Sequence, residues 1–443
     1  RSRRKQIGRL MTTSAQEYLK KVLMSPVYDV AVNSEFVPLH KFSAVVGNEV
    51  WLKREDQQPV KSFKLRGAYN KISHLDEATL NAGIITASET TPDIKVDAVR
   101  NFGGDNVKVV LHGTSFDQAN EESKRLAALH GYTMIPPFDD PDVIAGQGTI
   151  AKEMLEQNPN LDVVFIAVGG GGLAAGMSVY LKQLKPSIRI VAVESSESAC
   201  LQAALTAGEP TPLPFVGIFA DGVAVKTIGT ETFRLCQQYV DEVITVNNDE
   251  LCTAIKDIFD DTRVIAEPAG ALSVAAMRKY AKQNDVTGKV FGGVLCGANI
   301  NFHTLRYVSE RCELGEQKEA VFAVKIPERK GAFKHFCELL GGKIITEFNY
   351  RFASEKEAHI FVGVKLRRGR EEFAELMRTL SASDYPCLDM SDNEMAKLHV
   401  RYMVGGRPPA LLHEHLFSFE FPEQPGALMT FLKTLGERWN ITL

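Results

Sequence analysis

Cysteine is scarce in this 443-residue chain and follows no pairing pattern. Cys200, Cys236, Cys252, Cys296, Cys312, Cys337 and Cys387 are odd in number, widely scattered and never spaced Cys-x-x-Cys. That speaks against a disulfide framework and against a zinc site, and for a reducing compartment. Long hydrophobic runs are missing too, so no segment is expected to span a bilayer. Neither sign of charge dominates: the formal net charge is −4, which gives nucleic acid or an anionic membrane no hold. What is present is ordinary for a globular protein, with 44% apolar and 24% charged residues and length for two or three domains. Small molecules are the expected ligands. Residues 1–9 carry Arg1, Arg3, Arg4, Lys5 and Arg9 and no acid. A transit-peptide remnant, implying an organelle, and a disordered tail ahead of Met11, implying the cytoplasm, are equal readings.

The stretch Lys61-Ser62-Phe63-Lys64-Leu65-Arg66-Gly67-Ala68 is the first to suggest chemistry. Ser62 reads as an N-cap, which puts the Lys64 amine at the second helical position, facing the positive end of the helix dipole. That placement costs about 0.3–1 kcal/mol and favours the neutral amine. With Val60, Phe63 and Leu65 around it, the site suits a Schiff-base lysine; a solvated lysine on a helix is the plain alternative.

Around it, helix and strand alternate as a parallel sheet requires. A short amphipathic helix is expected over 16–23, strands over 50–53 and 83–87, the lysine helix to about 74, a helix over 93–102 and a strand over 107–111. Helices over 116–130 and 143–157 and a strand over 163–168 follow. Gly169-Gly170-Gly171-Gly172-Leu173-Ala174-Ala175-Gly176 then opens another helix. Four glycines after a buried strand free backbone N–H groups to wrap an anion, more than a tight turn needs. Glu194, at the end of a strand over 188–193, stands where a ribose-binding acid would in a dinucleotide fold, so an oxidoreductase is a rival. The spacing is not Gly-x-Gly-x-x-Gly, which weakens it. Glu267, in Ala266-Glu267-Pro268-Ala269-Gly270-Ala271, could cap a helix or face a ligand. Cys296, in a small-residue turn at a strand's end, sits where open α/β sheets bind ligands, although a buried inert thiol is the commoner fate.

From 319 on the chain repeats itself. Val321 to Phe333 is echoed by Leu416 to Leu428, each a strand, a Pro-Glu turn, a glycine and a helix. The first copy completes a β-α-β-β-α-β course whose last strand is near Leu388. The second stops early in what should be its second strand.

Lys53-Arg54-Glu55-Asp56, the Ser62–Ala68 stretch, the tetraglycine loop, Glu267-Pro268-Ala269-Gly270-Ala271 and Cys296-Gly297-Ala298-Asn299, taken in order, resemble the biosynthetic threonine dehydratases. The resemblance runs from about Glu17 to the end. It implies an α/β, two-lobed, fold-type-II catalytic region over 17–315 with mostly parallel twisted sheets. The smaller lobe would be about 50–150, and residues 1–16 a tail. α+β ACT-like regulatory modules would follow over 320–395 and, truncated, over 396–443. It implies pyridoxal 5'-phosphate joined to Lys64 as a Schiff base, Phe63 beside its ring, and the amides of Gly169, Gly170, Gly171, Gly172 and Leu173 on its phosphate. Cys296 would lie near the pyridine nitrogen, a weak partner that suits β-elimination, and Glu267 is a further active-site candidate. The implied reaction takes L-threonine, with L-serine as a second substrate, to 2-oxobutanoate and ammonia, with Lys64 removing the Cα proton. Isoleucine would be the regulatory ligand and a homo-tetramer the assembly; no metal is implied.

One departure is plain. Where the family carries a Ser-x-Gly-Asn-His loop, a helix and a strand, Ser88-Glu89-Thr90 joins the flanking segments directly, a loss of about 30 residues. That loop would grip the substrate carboxylate. Two readings follow: a threonine dehydratase with impaired activity, or a non-catalytic variant that binds cofactor or assembles with intact subunits. Feedback by isoleucine is expected to be weak because the second module is cut short.

Overall fold

Val163–Ala167 is aliphatic or aromatic at every position and buried at every position, as a strand covered on both faces must be. It is the centre of a six-stranded sheet in the computed structural model, which describes residues 13–87, 99–100, 108–112, 116–302, 304–315, 319–327, 332–341, 343–352, 357–391 and 434. In chain order the strands are β1 (Phe36–Pro38), β2 (Glu49–Arg54), β3 (Ile84–Ile85), β4 (Thr133–Met134), β5 (Val163–Ala167), β6 (Arg189–Ser195), β7 (Glu242–Val246) and β8 (Val290–Leu295). The large sheet has the order β1-β2-β8-β5-β6-β7. All its pairings are parallel except β1 with β2 at one edge. Phe165, Phe291 and Tyr280 meet edge to face at 5.1–5.9 Å in its core, a favoured geometry for buried rings.

The helices that matter to the site are α1 (Ala15–Leu23), α2 (Lys64–Ile72), α3 (Phe116–His130), α4 (Pro141–Gln157), α5 (Gly172–Leu184), α6 (Cys200–Ala207), α7 (Thr230–Tyr239) and α8 (Leu272–Asn284). Their ends follow local chemistry. Ser14 and Glu17 form a capping box on α1, and Asp140 caps α4 ahead of Pro141. α8 packs on β5, β6, β7 and β8, while α4 packs against α1, α2 and α5.

Three expectations for this unit need correction. α2 begins at Lys64 with Phe63, not Ser62, as its cap, and it ends at Ile72. The strand expected over 83–87 shrinks to Ile84–Ile85 and is not buried: it pairs only with β4, and Ile84 is 39% exposed. The strand expected over 107–111 does not form at 108–112, where Val110 and Leu111 are exposed. Leu80, Leu129 and Tyr132 are exposed nearby. Among the described residues β3 and β4 form a sheet of two strands, and a pair of strands by itself buries little apolar surface. The helix expected over 93–102 falls largely outside the described residues.

The chain divides at Thr304 and Leu305 into two compact units. The second contains β9 (Glu319–Pro327), α9 (Ala332–Leu339), β10 (Ile345–Phe352), β11 (Glu357–Lys365), α10 (Arg370–Ala382) and β12 (Cys387–Asp389). Its four strands are antiparallel in the order β10-β11-β9-β12. Phe322, Phe336, Ile360, Val362 and Leu380 are fully buried in its core. This is the expected β-α-β-β-α-β course. The repeat expected over 396–443 lies, but for residue 434, outside the described residues.

Candidate active site

Because β2, β8 and β5 are parallel neighbours, the segments that follow them leave the same end of the sheet. In open α/β sheets ligands sit there. The segment after β2 leads to Lys64, the one after β8 starts at Cys296, and the one after β5 is the glycine loop.

The first two are sewn together. Ser62 pairs with Gly297 in an antiparallel bridge. Phe63 N–H donates to the Cys296 carbonyl at 3.2 Å, and Ala298 N–H to the Lys61 carbonyl at 3.1 Å. The Asn299 side-chain amide donates to the carbonyls of Val60 and Lys61, both at 3.2 Å. Lys61 is held at φ 57°, a left-handed conformation that costs a non-glycine residue energy. This pairing delays the helix start. The Ser62 hydroxyl still accepts the Lys64 N–H at 3.4 Å. The Lys64 side chain is exposed, with Val60, Phe63 and Leu65 only partly buried around it, so the expected desolvation is not found. Its Nζ donates to the Gly222 carbonyl at 3.4 Å.

The glycine loop is tied down by its carbonyls. Gly169 O accepts the Cys200 thiol at 3.2 Å, Gly170 O the Thr232 hydroxyl at 2.7 Å, and Gly171 O the Ala175 N–H at 2.8 Å. Among the described residues no protein acceptor takes the N–H groups of Gly169, Gly170, Gly171, Gly172 or Leu173. Buried amides almost always find a partner. A run of unopposed donors at the N-terminus of a helix is a cradle for an anion such as a phosphate. Gly171, at φ 90°, occupies a conformation that only glycine takes without strain.

Cys296 is buried, its thiol 3.7 Å from the Val294 carbonyl. Burial pushes the thiol's pKa far up, with Glu267 and Glu55 adding to it, so the sulfur is a neutral S–H. Glu267, also buried, accepts the Asn299 N–H at 3.0 Å. Its own N–H donates to the Gly297 carbonyl at 3.2 Å. A Cβ on Gly297 would stand 2.7 Å from its Oε1. The carboxylate thus braces the turn that follows Cys296.

Two contributors have weak sequence signals. The turn Asp221–Val223 touches the lysine through the Gly222 carbonyl and lies within van der Waals reach of Gly169 and Ala269. Only its Asp-Gly pair hinted at a turn. Phe138 packs its ring where Gly170 lacks a side chain, and its backbone and Cβ lie against Gly172. Beside it Asp139 accepts the N–H groups of Thr230, Glu231 and Thr232 at 2.9–3.1 Å, capping α7. Glu194 is not a ribose ligand. It is fully buried and its carboxylate accepts the N–H groups of Leu201 and Gln202, at 2.7 and 2.9 Å, in the first turn of α6. Burial outweighs those bonds and pushes its pKa up to about 7.

Below the lysine a buried charge network secures α2. Arg66 binds Glu55 through two bonds of 2.8 Å and Glu153 at 2.5 and 3.0 Å, and reaches the Thr149 hydroxyl and the Val32 carbonyl. Lys53 meets Glu153 at 2.6 Å. All four charged side chains are 0% exposed. Burial works against the Arg66 charge, but Glu55 and Glu153 outweigh it and hold its pKa above the usual value. For Lys53 burial prevails and the pKa falls.

The sequence matches the family described as pyridoxal-phosphate dependent enzyme over residues 29–90 and 83–297. It matches the C-terminal regulatory domain of threonine dehydratase over 310–400 and 406–443. The first match breaks at 83–90, where Ser88-Glu89-Thr90 lies. A biosynthetic L-threonine dehydratase of Escherichia coli is 55% identical over 451 residues, covering 96% of this chain and 87% of the relative. The mitochondrial threonine dehydratase of Saccharomyces cerevisiae is 44% identical, covering 99% of this chain and 82% of the relative. Among solved structures, the processed form of threonine deaminase isoform 2 from Solanum lycopersicum superposes with a TM-score of 0.64 at 41% identity. It covers 67% of this chain and 92% of that one.

Proposed function

The chain belongs to the threonine dehydratases, pyridoxal-phosphate-dependent ammonia-lyases, and from that membership we propose how its own residues convert L-threonine to 2-oxobutanoate and ammonia. The residues present fit the cofactor. The unopposed amides of Gly169, Gly170, Gly171, Gly172 and Leu173 carry this reading, because nothing else among the described residues answers them. They would hold the phosphate. Lys64 would hold the aldehyde carbon, from the first turn of α2, with Phe63 beside the ring. When bound, the cofactor supplies an electron sink for charge developing at the substrate Cα.

The protein's part is placement and proton transfer. Lys64 Nζ, as a free amine, would take the Cα proton; the Gly222 carbonyl keeps the amine in reach. The Cys296 thiol, held neutral by burial, would offer the ring nitrogen a weak partner and leave it unprotonated. Glu267 acts on that thiol's turn through Asn299. The β-α-β-β-α-β unit supplies regulation in this reading, with isoleucine as its ligand; its match to a regulatory domain of threonine dehydratase supports this. No helix among the described residues is long and apolar enough to cross a membrane.

Lys64→Ala tests the assignment. The near-visible absorbance of the lysine-bound cofactor should vanish, and 2-oxobutanoate formation should fall by at least the ~10²–10⁴-fold that a positioned base contributes. Undiminished turnover would overturn the role of Lys64. A bound cofactor with no turnover in the unsubstituted chain would favour the non-catalytic reading.

A further inference from the structure

We propose that the glycines packing α2, α4 and α5 together form a spacer that sets the distance between Lys64 and the amides of 169–173, so that the two match a ligand bearing both an aldehyde and a phosphate. The inference rests on the cofactor-binding roles proposed above.

α4 lies between the helices that carry those two attachment points. A Cβ on Gly67 of α2 would stand 2.8 Å from the Val143 carbonyl, and one on Gly146 of α4 would stand 2.7 Å from the Arg66 carbonyl and 2.8 Å from the Gly67 Cα. On its other side, a Cβ on Gly148 would stand 2.9 Å from the Gly176 carbonyl, and one on Gly176 of α5 would run into the Ile144 carbonyl. None of the four glycines has a positive φ, so backbone conformation does not require them. Glycine inside a helix costs stability relative to alanine. What the four glycines allow is backbone-to-backbone contact between helices.

The contacts fall in the turn that matters at each end. Lys64 is the first residue of α2 and Gly67 lies one turn on; Gly172 is the first residue of α5 and Gly176 lies one turn on. At 100° per residue, Val143 and Gly146 lie on a face of α4 nearly opposite that of Ile144 and Gly148. The lysine and the phosphate cradle are therefore mounted on two sides of one helix. Arg66 ties α2 to α4 a second time through Glu153. A misplacement of about 1 Å at a reacting group can cost about 10²-fold.

The test is Gly148→Ala, which pushes α5 away from α4 while leaving Lys64 in place. Affinities of the purified chain for pyridoxal phosphate and for pyridoxal, which lacks the phosphate, are measured by borohydride trapping at Lys64 with peptide mapping. Affinity for pyridoxal phosphate should fall tenfold or more while that for pyridoxal stays within twofold. Should Gly148→Ala not fold, Val22→Ala/Gly148→Ala is read instead. It removes the α1 methyl that the new Cβ would strike, leaving the Gly176 carbonyl as the remaining close contact, and should show the same loss of selectivity. Equal losses for both aldehydes, or an unchanged ratio, would overturn the spacer. If the unsubstituted chain traps neither aldehyde at Lys64, the cofactor reading itself fails; trapping with an unchanged ratio in the variants sinks only the spacer.

Discussion

Replacing Arg66 with methionine probes what holds the lysine helix in place. Arg66 neutralises Glu55 and Glu153 at once, and none of the three side chains is exposed. With Lys53 the cluster sums to zero charge; Arg66→Met leaves one lysine between two buried carboxylates. Removing one partner of a buried ion pair costs about 3–5 kcal/mol, because the survivor stays buried and uncompensated. At about 2–4 °C per kcal/mol for a domain of a few hundred residues, the transition should fall by roughly 6–20 °C. Trp51, in β2 two residues from Lys53, reports it by fluorescence in a Trp439→Phe background. The sharper expectation concerns coupling. Arg66→Met/Glu153→Gln restores charge balance between Lys53 and Glu55, so it should be less damaging than the sum of the single changes by about 1–3 kcal/mol. A single-variant loss below about 1 kcal/mol, or additivity within ~0.5 kcal/mol, would refute the view that Arg66 is bound by charge rather than by packing.

Glu194→Gln should flatten the pH dependence of stability. The carboxyl is raised to about 7 in the fold from an ordinary 4.5, so the folded chain binds the extra proton between these values. Its contribution makes the native state lose stability as pH rises from about 4.5 to 7, by about 3 kcal/mol in all. Denaturation curves of the variant should lack that fall, and an unchanged slope would show that Glu194 is not its source. Cys296 should resist iodoacetamide at pH 8, where burial keeps its thiol protonated, while the partly exposed Cys312 reacts; labelling of Cys296 at the rate of Cys312 would contradict its burial.

The features legible in the sequence were those with a local cause. The glycine loop, the short amphipathic α1 and the β-α-β-β-α-β course follow from periodicity and from residues next to one another. The lysine helix shows the limit. Ser62 has the chemistry of a cap, but its pairing with Gly297 draws it into a bridge, and Phe63 takes the cap instead. Glu194 looked like a ligand because its spacing fits one; the amides of Leu201 and Gln202 that claim it become visible only once α6 folds back. Phe138, Asp139 and the turn Asp221–Val223 carry too little local pattern to be found before the chain brings them to the glycine loop.

The pairing of the lysine segment with the turn after β8 also sets a timetable. β2 hydrogen-bonds to β8, and Ser62 to Gly297, partners separated by more than two hundred residues. A ribosome adding 5–20 residues per second needs roughly 10–50 s to deliver the second after the first. Until then Lys64 has been made but its surroundings have not, and the inner edge of β2 stays open to other strands. The second unit closes within a span of some seventy residues, a matter of seconds. During synthesis the catalytic half is the one that has to be protected, and its cofactor pocket can assemble only after most of the chain that builds it has left the ribosome.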